Sequence, residues 1–457
     1  MLIQEIKTSL NSFEIYCLYK DEPYSFFLDS GMDHQGLGNY SFIGANPFLI
    51  FKSKADLINI GENGINSTFK GNPFTKLKEL FDKYQRDYPS ELPFLGGAVG
   101  YLAYDLCHHI EDLPITAVDD VGIPDCYFGF YDGIIIIDHV HNKVFAAALG
   151  ITSAAEEKVA AINKSLTEGE KQCPVSSSKG KKGPAVFAGN FTKKDYLKAV
   201  NKIKEYIKAG DIYQANLTQR FECQLEETPL ELYGKLRQIN PAPFASFIDF
   251  GDGHIVSSSP ERYIRITGKN IETRPIKGTR PRGKTLEEDQ KNRDELLASE
   301  KDKAELLMIV DLERNDLGRI CKTGTVKVPQ LFHLEKYPTV YHLVSTVVGE
   351  LKDECDVVDC ILASFPGGSI TGAPKIRAME IIDELEPTQR NIYTGSIGYI
   401  GFNGDTDLNI VIRTIVCKDQ KAYFQAGGGI VWDSDAEEEY QESLDKARAM
   451  MKALGSP

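Results

Sequence analysis

The spacing of hydrophobic positions along this chain changes period near residue 190. Over residues 1–166, short apolar runs alternate with turn clusters: "FEIYCLY", "FLIFKS", "GIIIIDHV" and "KVFAAALG" read as strands, and "NYSFIGANP" and "GGAVGYLAYD" as glycine-rich patches. From 167 to 189 the text "TEGEKQCPVSSSKGKKGPAVFAG" loses most large apolar residues and reads as a linker or mobile loop. At Thr192 the period becomes helical. Thr192 and Asp195 are spaced as a capping box, Tyr196, Val200, Ile203 and Ile207 form one stripe, and Gly210 ends it. The next run, "DIYQANLTQRF", alternates as a strand with Gln214, Asn216 and Thr218 on one face. Such a polar face belongs either to an edge strand in water or to the lining of a site. Beyond 250, strands and helices mix with no regular βαβ period and no internal repeat, so the expected class is α+β. The expected division is an N-terminal region 1–166, the 167–189 linker and a C-terminal region 190–457.

Composition narrows the function classes. The 457 residues are 42% hydrophobic and 26% charged, an ordinary globular balance. A net charge of −14 opposes binding to a phosphate backbone, so nucleic acid is not an expected partner. The N-terminus lacks the pattern of a signal peptide and no apolar run has the length of a membrane span, so a soluble cytoplasmic protein without a membrane partner is expected. Nine scattered cysteines without a C-x-x-C pair read as reduced thiols, and none stands in a Gly-x-Cys-x-Gly elbow.

Charged residues at defined spacing then suggest chemistry. In the last helical stretch, "SDAEEEYQESLDKARAMMKALG", Ser434 and Glu437 are spaced as a capping box and Gly455 closes the helix. Glu439, Glu442 and Lys446 fall on one face, either as a solvated i,i+4 pair or as a stripe for metal and anion. In "SEKDKAELLMIVDLERND", Asp302 and Glu305 lie side by side ahead of a strongly apolar run. Carboxylates without histidine are hard oxygen donors of the kind Mg²⁺ takes. Glu261 follows the turn "SSSPE", where a buried carboxyl can become a general acid. Arg413 in "LNIVIRT" is expected on one strand face with Asn409 and Val411, and "AGGGIV" reads as a close-approach loop with N–H groups for a carboxylate. "PGGSITGAPK" is not a phosphate loop, because Gly372 is followed by Ala-Pro-Lys; its glycines can still offer N–H groups, and Pro374 suits the first turn of a helix. "RPIKGTRPRG" leaves Lys277 either one more cation in an anion-binding loop or the group that performs the chemistry.

Taken in order, "RPIKGTRPRG", "EKDKAELLMIVDLERNDLGRI", "YHLVSTVVGEL", "FPGGSITGAPKIRAMEII", "GSIGYIG", "LNIVIRT", "QAGGGIVWDSD" and "EEEYQESLDKARA" resemble the motifs of the chorismate-utilising enzymes. The resemblance covers about 188–454, with a weaker match earlier in the chain. It implies one large α/β body with two packed β-rich layers, outer helices and a cleft between the layers. It also implies chorismate as substrate and Mg²⁺ as cofactor, with Glu305 and Glu442 as direct ligands and Asp302 and Glu439 behind them. By the same resemblance Gly427, Gly428, Tyr399, Arg413 and Lys446 are carboxylate binders. Gln214, Thr279, His342 and Thr371 are further substrate neighbours, and Glu261 is the general acid. Isochorismate and salicylate synthases carry lysine where Gln214 stands, and anthranilate synthases usually read alanine where Lys277 stands. Lysine there marks the aminodeoxychorismate branch and implies a nucleophile at Lys277, made neutral by burial beside Arg274, Arg280 or Arg282. Ammonia is then expected from a separate glutamine amidotransferase. Feedback-sensitive relatives carry Leu-Leu-Glu-Ser where this chain reads "FLDS" (27–30), which leaves open whether an amino acid binds there.

Overall fold

In the computed structural model, which describes residues 1–31, 36–170, 185–337 and 340–455, the alternating runs pair into two twelve-stranded antiparallel sheets, each with eleven strands in line and a twelfth off that line: Gly372–Ala373 beside Gln214–Gln224 in the first and Lys327–Lys336 beside Val340–Glu350 in the second. The first follows the order Leu2–Ile6, Lys143–Ala148, Gly133–Asp138, Tyr40–Gly44, Phe26–Asp29, Phe244–Asp249, His254–Ser259, Thr414–Lys418, Lys421–Ile430, Gln214–Gln224 and Ala188–Gly189. The second runs Ile276–Pro281, Val340–Glu350, Asn270–Arg274, Arg262–Thr267, Thr406–Asn409, Ser396–Gly401, Gly97–Leu102, Cys126–Tyr131, Leu49–Lys54, Leu57–Glu62 and Ile65–Lys70. The fold is α+β, with two large sheets and helices.

Both sheets are shared between the two regions expected from the sequence. Phe27 pairs with Phe247 in the first sheet and Gly100 with Gly398 in the second, so the boundary near 166 does not separate two sheets. The helix Ala155–Gly169 runs through that boundary, and positions 171–184 of the expected linker lie outside the described residues. A large apolar cluster including Tyr101, Tyr127, Phe250, Ile264, Ile400 and Leu408 forms the main core. Ile15, Tyr16, Leu232, Phe247, Phe424 and Ala447 form a second one that includes residues of the flanking helices. The leucines, isoleucines and phenylalanines among them each contribute about 1.5–3 kcal/mol when fully buried.

Several local expectations change. "FEIYCLY" is helical over Ser12–Cys17, because Asn11 accepts the N–H groups of Phe13 and Glu14 while Glu14 accepts that of Asn11. This cap, with Ile15 and Tyr16 fully buried, overrides the strand preference of an aromatic run. The helix Lys193–Ala209 begins at Thr192 and ends at Gly210, as its pattern predicts. The last helix, Ala436–Ala453, is capped by Asp435 rather than Ser434, whose hydroxyl donates instead to Glu439. "AGGGIV" is largely part of the paired strand Lys421–Ile430 and not a loop.

The chain passes from the first sheet to the second between Ser259 and Arg262, and from the second back to the first between Asn409 and Thr414. "LNIVIRT" is therefore a crossover and not one strand. Glu261 stands on one crossover and Arg413 on the other, and the Ile410 N–H donates to the Glu261 carbonyl at 3.0 Å. Two residues far apart in sequence are thus brought to the seam between the layers.

Candidate active site between the two sheets

Lys277 lies on the strand Ile276–Pro281 of the second sheet, facing the glycine run of the first. A methyl group on Gly429 would lie 3.1 Å from Lys277 Nζ and 2.8 Å from Gln214 Nε2. The nearest acid to Lys277 is Glu305, with Nζ to Oε2 at 3.8 Å. None of the three arginines of "RPIKGTRPRG" is left as a free cation beside it. Arg274 pairs with Glu335, Arg280 with Asp302 at 3.1 Å and Arg282 with Asp289 at 2.7 Å. The expected guanidinium neighbourhood of Lys277 is thus replaced by a carboxylate and an amide.

Gln214, Asn216 and Thr218 are buried in an inner strand of the first sheet, with Lys421–Ile430 on one side and, on the other, Gly372–Ala373 beside Gln214, the Thr371 carbonyl at the Asn216 N–H and Glu386 at the Thr218 N–H, which removes the solvent-edge alternative for their polar face. Both side-chain polar atoms of Gln214 lack a hydrogen-bond partner. A buried amide left unpaired is costly unless a ligand or water satisfies it.

The last helix brings its stripe over the same strand. A methyl on Gly428 would lie 3.3 Å from Glu439 Oε2, 3.4 Å from Lys446 Nζ and 3.5 Å from Glu442 Oε1. Lys446 donates to Glu442 at 2.6 Å and to the Gly427 carbonyl at 3.0 Å. Lys446 holds Glu442 below the usual carboxylate range, while burial and the neighbouring Glu442 push Glu439 up. Two acids that repel across one glycine suit a divalent cation, and the four carboxylates supply only oxygen donors. The donor chemistry therefore fits Mg²⁺. Among the described residues no three ligands converge to hold an ion in this conformation, in which Lys277, Arg280 and Lys446 neutralise Glu305, Asp302 and Glu442.

Glu261 is 5% exposed, and its carboxyl is pushed up to about 7 by burial. The Ser369 hydroxyl, the Ile276 N–H, Lys277 and Lys446 act in the opposite direction. The group thus titrates near neutrality, as a proton donor must. Thr279 and His342 share a hydrogen bond of 2.9 Å across adjacent strands. Thr371 turns its hydroxyl onto the carbonyls of Gly367 and Gly368.

Tyr399 does not join this group. It stacks on Phe94 at 4.4 Å and lines a separate cavity of about 200 Å³ with Leu28, Ser30, Phe244 and Asp407. The tyrosine beside Arg413 is Tyr393, whose phenol is raised by burial and lowered by that guanidinium. Arg413 itself has φ of 54°, a left-handed conformation rare outside glycine. Asp29 of "FLDS" also lines the separate cavity, but its carboxylate is engaged by Arg237 at 2.6 Å and Tyr233 at 3.0 Å. Tyr393 and Ser369 carry no periodic signal in the sequence; only the crossover and the turn bring them to the site.

A family model described as chorismate binding enzyme matches residues 22–452. The chain belongs to the chorismate-binding enzymes. Aminodeoxychorismate synthase component 1 of Bacillus subtilis is 43% identical over 425 residues, covering 91% of this chain and 89% of that protein. Anthranilate synthase component 1 of Acetivibrio thermocellus is 41% identical over 449 residues, covering 95% and 91%. Two activities at such similar identity leave the member of the family open. Anthranilate synthase component I from Streptococcus pneumoniae superposes with a TM-score of 0.82 at 35% identity, covering 90% of this chain and 92% of that one. The menaquinone-specific isochorismate synthase MenF of Escherichia coli shares the fold, with a TM-score of 0.72 at 17% identity, covering 99% and 94%.

Proposed function

We propose that the chain is the large subunit of an aminodeoxychorismate synthase, which converts chorismate and ammonia to 4-amino-4-deoxychorismate. The observation that carries this reading is the Lys277 amine beside Gln214 and Gly429, where the anthranilate synthases usually have no amine at all. Glu305 and Glu442, with Asp302 and Glu439 behind them, would hold Mg²⁺, whose charge offsets one carboxylate of the substrate. Arg413, Lys446, Gly427 and Gly428 would bind the carboxylates, and the unpaired Gln214 amide would meet the ring or the incoming ammonia.

The chemistry of the chain's own residues follows. Lys277, ion-paired with Glu305 at rest, first loses a proton to solvent, and its free amine then forms a bond to C2 of the ring; the double bonds shift, and the C4 hydroxyl leaves as water with the proton of Glu261. Ammonia then attacks C4, the double bonds return and the C2–N bond to Lys277 breaks, while Glu261 takes up a proton. The enolpyruvyl ether is retained, so a later lyase is needed to reach 4-aminobenzoate for folate. Glutamine-derived ammonia would come from an amidotransferase partner, and free ammonium replaces it in vitro.

The test is to incubate the chain with chorismate, Mg²⁺ and ammonium, following pyruvate and 4-amino-4-deoxychorismate together. Amination without pyruvate is expected. Pyruvate with a fluorescent aromatic product overturns the reading in favour of anthranilate synthesis, the activity named for the 41% identical relative. Chorismate recovered unaltered would instead indicate a non-catalytic binding subunit.

A further inference from the structure

The helix Glu300–Ile320 carries Asp302 and Glu305 near its start and, among its other acids, Glu313 deeper in the protein. Glu313 is 4% exposed and makes no contact with the cleft lysines; its two oxygens are divided between different elements. Oε2 accepts the hydroxyl of Thr273 at 3.2 Å, and Oε1 accepts the N–H of Gly368 at 3.2 Å. Gly368 opens the 3₁₀ turn Gly368–Ile370, and the next residue, Ser369, has its hydroxyl near enough to Glu261 to favour the charged carboxylate. The turn is packed without slack. A methyl on Gly367 would lie 2.7 Å from Ile410 Cδ1, and one on Gly368 would lie 2.8 Å from Leu312 Cδ2. One buried acid therefore holds the turn from behind, and the turn presents Ser369 toward Glu261 in front.

We propose that Glu313 is a positioning residue for Glu261, acting through the turn Gly367–Thr371. Its anionic form is the better acceptor for the Gly368 N–H. That N–H fixes the turn, and the turn aims Ser369 at the carboxyl that exchanges protons with substrate. The surroundings favour a poised group: burial and then Asp316 push Glu313 up to about 7, while Lys375, Gly368 and Thr273 act in the opposite direction. Tyr263, from the strand Arg262–Thr267, also faces Glu313. Around Glu261 stand Lys277, Lys446, the Ile276 N–H, Ser369 and the phenol of Tyr337. Ser369 stabilises the charged form of Glu261, so losing its aim raises the proton affinity of Glu261 further.

This inference rests on the reading of Glu261 as proton donor, and the experiment separates the two. Chorismate consumption is followed with Mg²⁺ and ammonium for the full chain and for Glu313→Ala, Glu313→Gln, Ser369→Ala and Glu261→Gln. Glu313→Ala is expected to lower kcat about tenfold or more, with KM for chorismate changed less than about twofold. It also moves the alkaline fall of kcat to higher pH. Glu313→Gln regains most of kcat, because the amide oxygen still accepts from Gly368, and Ser369→Ala reproduces the pH shift without touching Glu313. Wild-type kcat and pH profile in both Glu313→Ala and Ser369→Ala overturn the inference. So does a loss in Glu313→Ala that tracks the folded fraction, with an unmoved pH profile and no rescue by glutamine. If Glu261→Gln itself keeps wild-type turnover, the reading of Glu261 as donor fails instead.

Discussion

At the scale of single residues, burial does most of the chemical tuning. Glu261 is raised because desolvation penalises its charge more than Ser369, Lys277 and Lys446 relieve it. Its folded-state proton affinity exceeds that of the unfolded chain, so its contribution to stability is full below about 4.5 and is lost as pH rises through about 7. Glu261→Gln removes that loss. Urea unfolding should therefore show the variant gaining stability relative to the parent between pH 5 and pH 8, while its turnover falls roughly 10²–10⁴-fold. Lys277→Ala tests the nucleophile directly. Intact-protein mass spectrometry should detect a chorismate-derived adduct on the parent chain and none on the variant, with amination at C4 lost.

At the scale of elements, the site depends on two strands that approach more closely than side chains allow. Gly427 pairs with Thr218, and a methyl group there would lie 2.1 Å from the Leu217 carbonyl oxygen. Backbone cannot move aside as a flexible side chain can. Gly427→Ala should lower stability by about 1–3 kcal/mol in urea unfolding. It should also raise KM for chorismate, because Lys446 is anchored on the Gly427 carbonyl and would shift with it. Elements whose signals are local are legible in the sequence. The helix Lys193–Ala209 has an apolar stripe and caps written locally, so its pattern and its structure agree. "FEIYCLY" is short and aromatic, and an N-cap three residues from Glu14 decided it against strand propensity. Ser434 and Asp435 both qualify as caps by type, and the choice fell to Asp435 because the Ser434 hydroxyl already accepts the Val431 N–H and donates to Glu439.

At the scale of the whole molecule, one buried ion pair ties an inner strand of the first sheet to the turn and the segment beneath the site. Arg390 donates to Glu386 at 2.7 Å, to the Asn216 carbonyl at 2.6 Å and to the Ile370 carbonyl at 3.0 Å. Glu386 in turn accepts from the backbone and hydroxyl of Thr218. The strand with Gln214, the turn with Ser369 and the segment leading to Tyr393 thus meet on one guanidinium. Arg390→Met leaves Glu386 buried and unpaired, and should cost about 3–5 kcal/mol in urea unfolding. The double variant Arg390→Met, Glu386→Gln should recover part of that loss, since the remaining amide is neutral. No helix among the described residues is long and apolar enough to cross a membrane.

The sequence by itself determined the α+β class, the order of the motifs and the acids of two helices, because helix period, caps and motif spacing are local properties. It also pointed to Lys277 and Glu261 and to the glycines against which the site is built. Only the tertiary structure decided which neighbours those residues meet. Arg274, Arg280 and Arg282 look like cations available to Lys277 until folding brings Glu335, Asp302 and Asp289 to them. Tyr399 and Tyr393 are six positions apart in similar contexts, and the sheet crossover puts only Tyr393 beside Arg413. Glu313 reads as one more helical acid, and its link to Glu261 runs through a turn more than fifty residues away, a contact that no local pattern encodes.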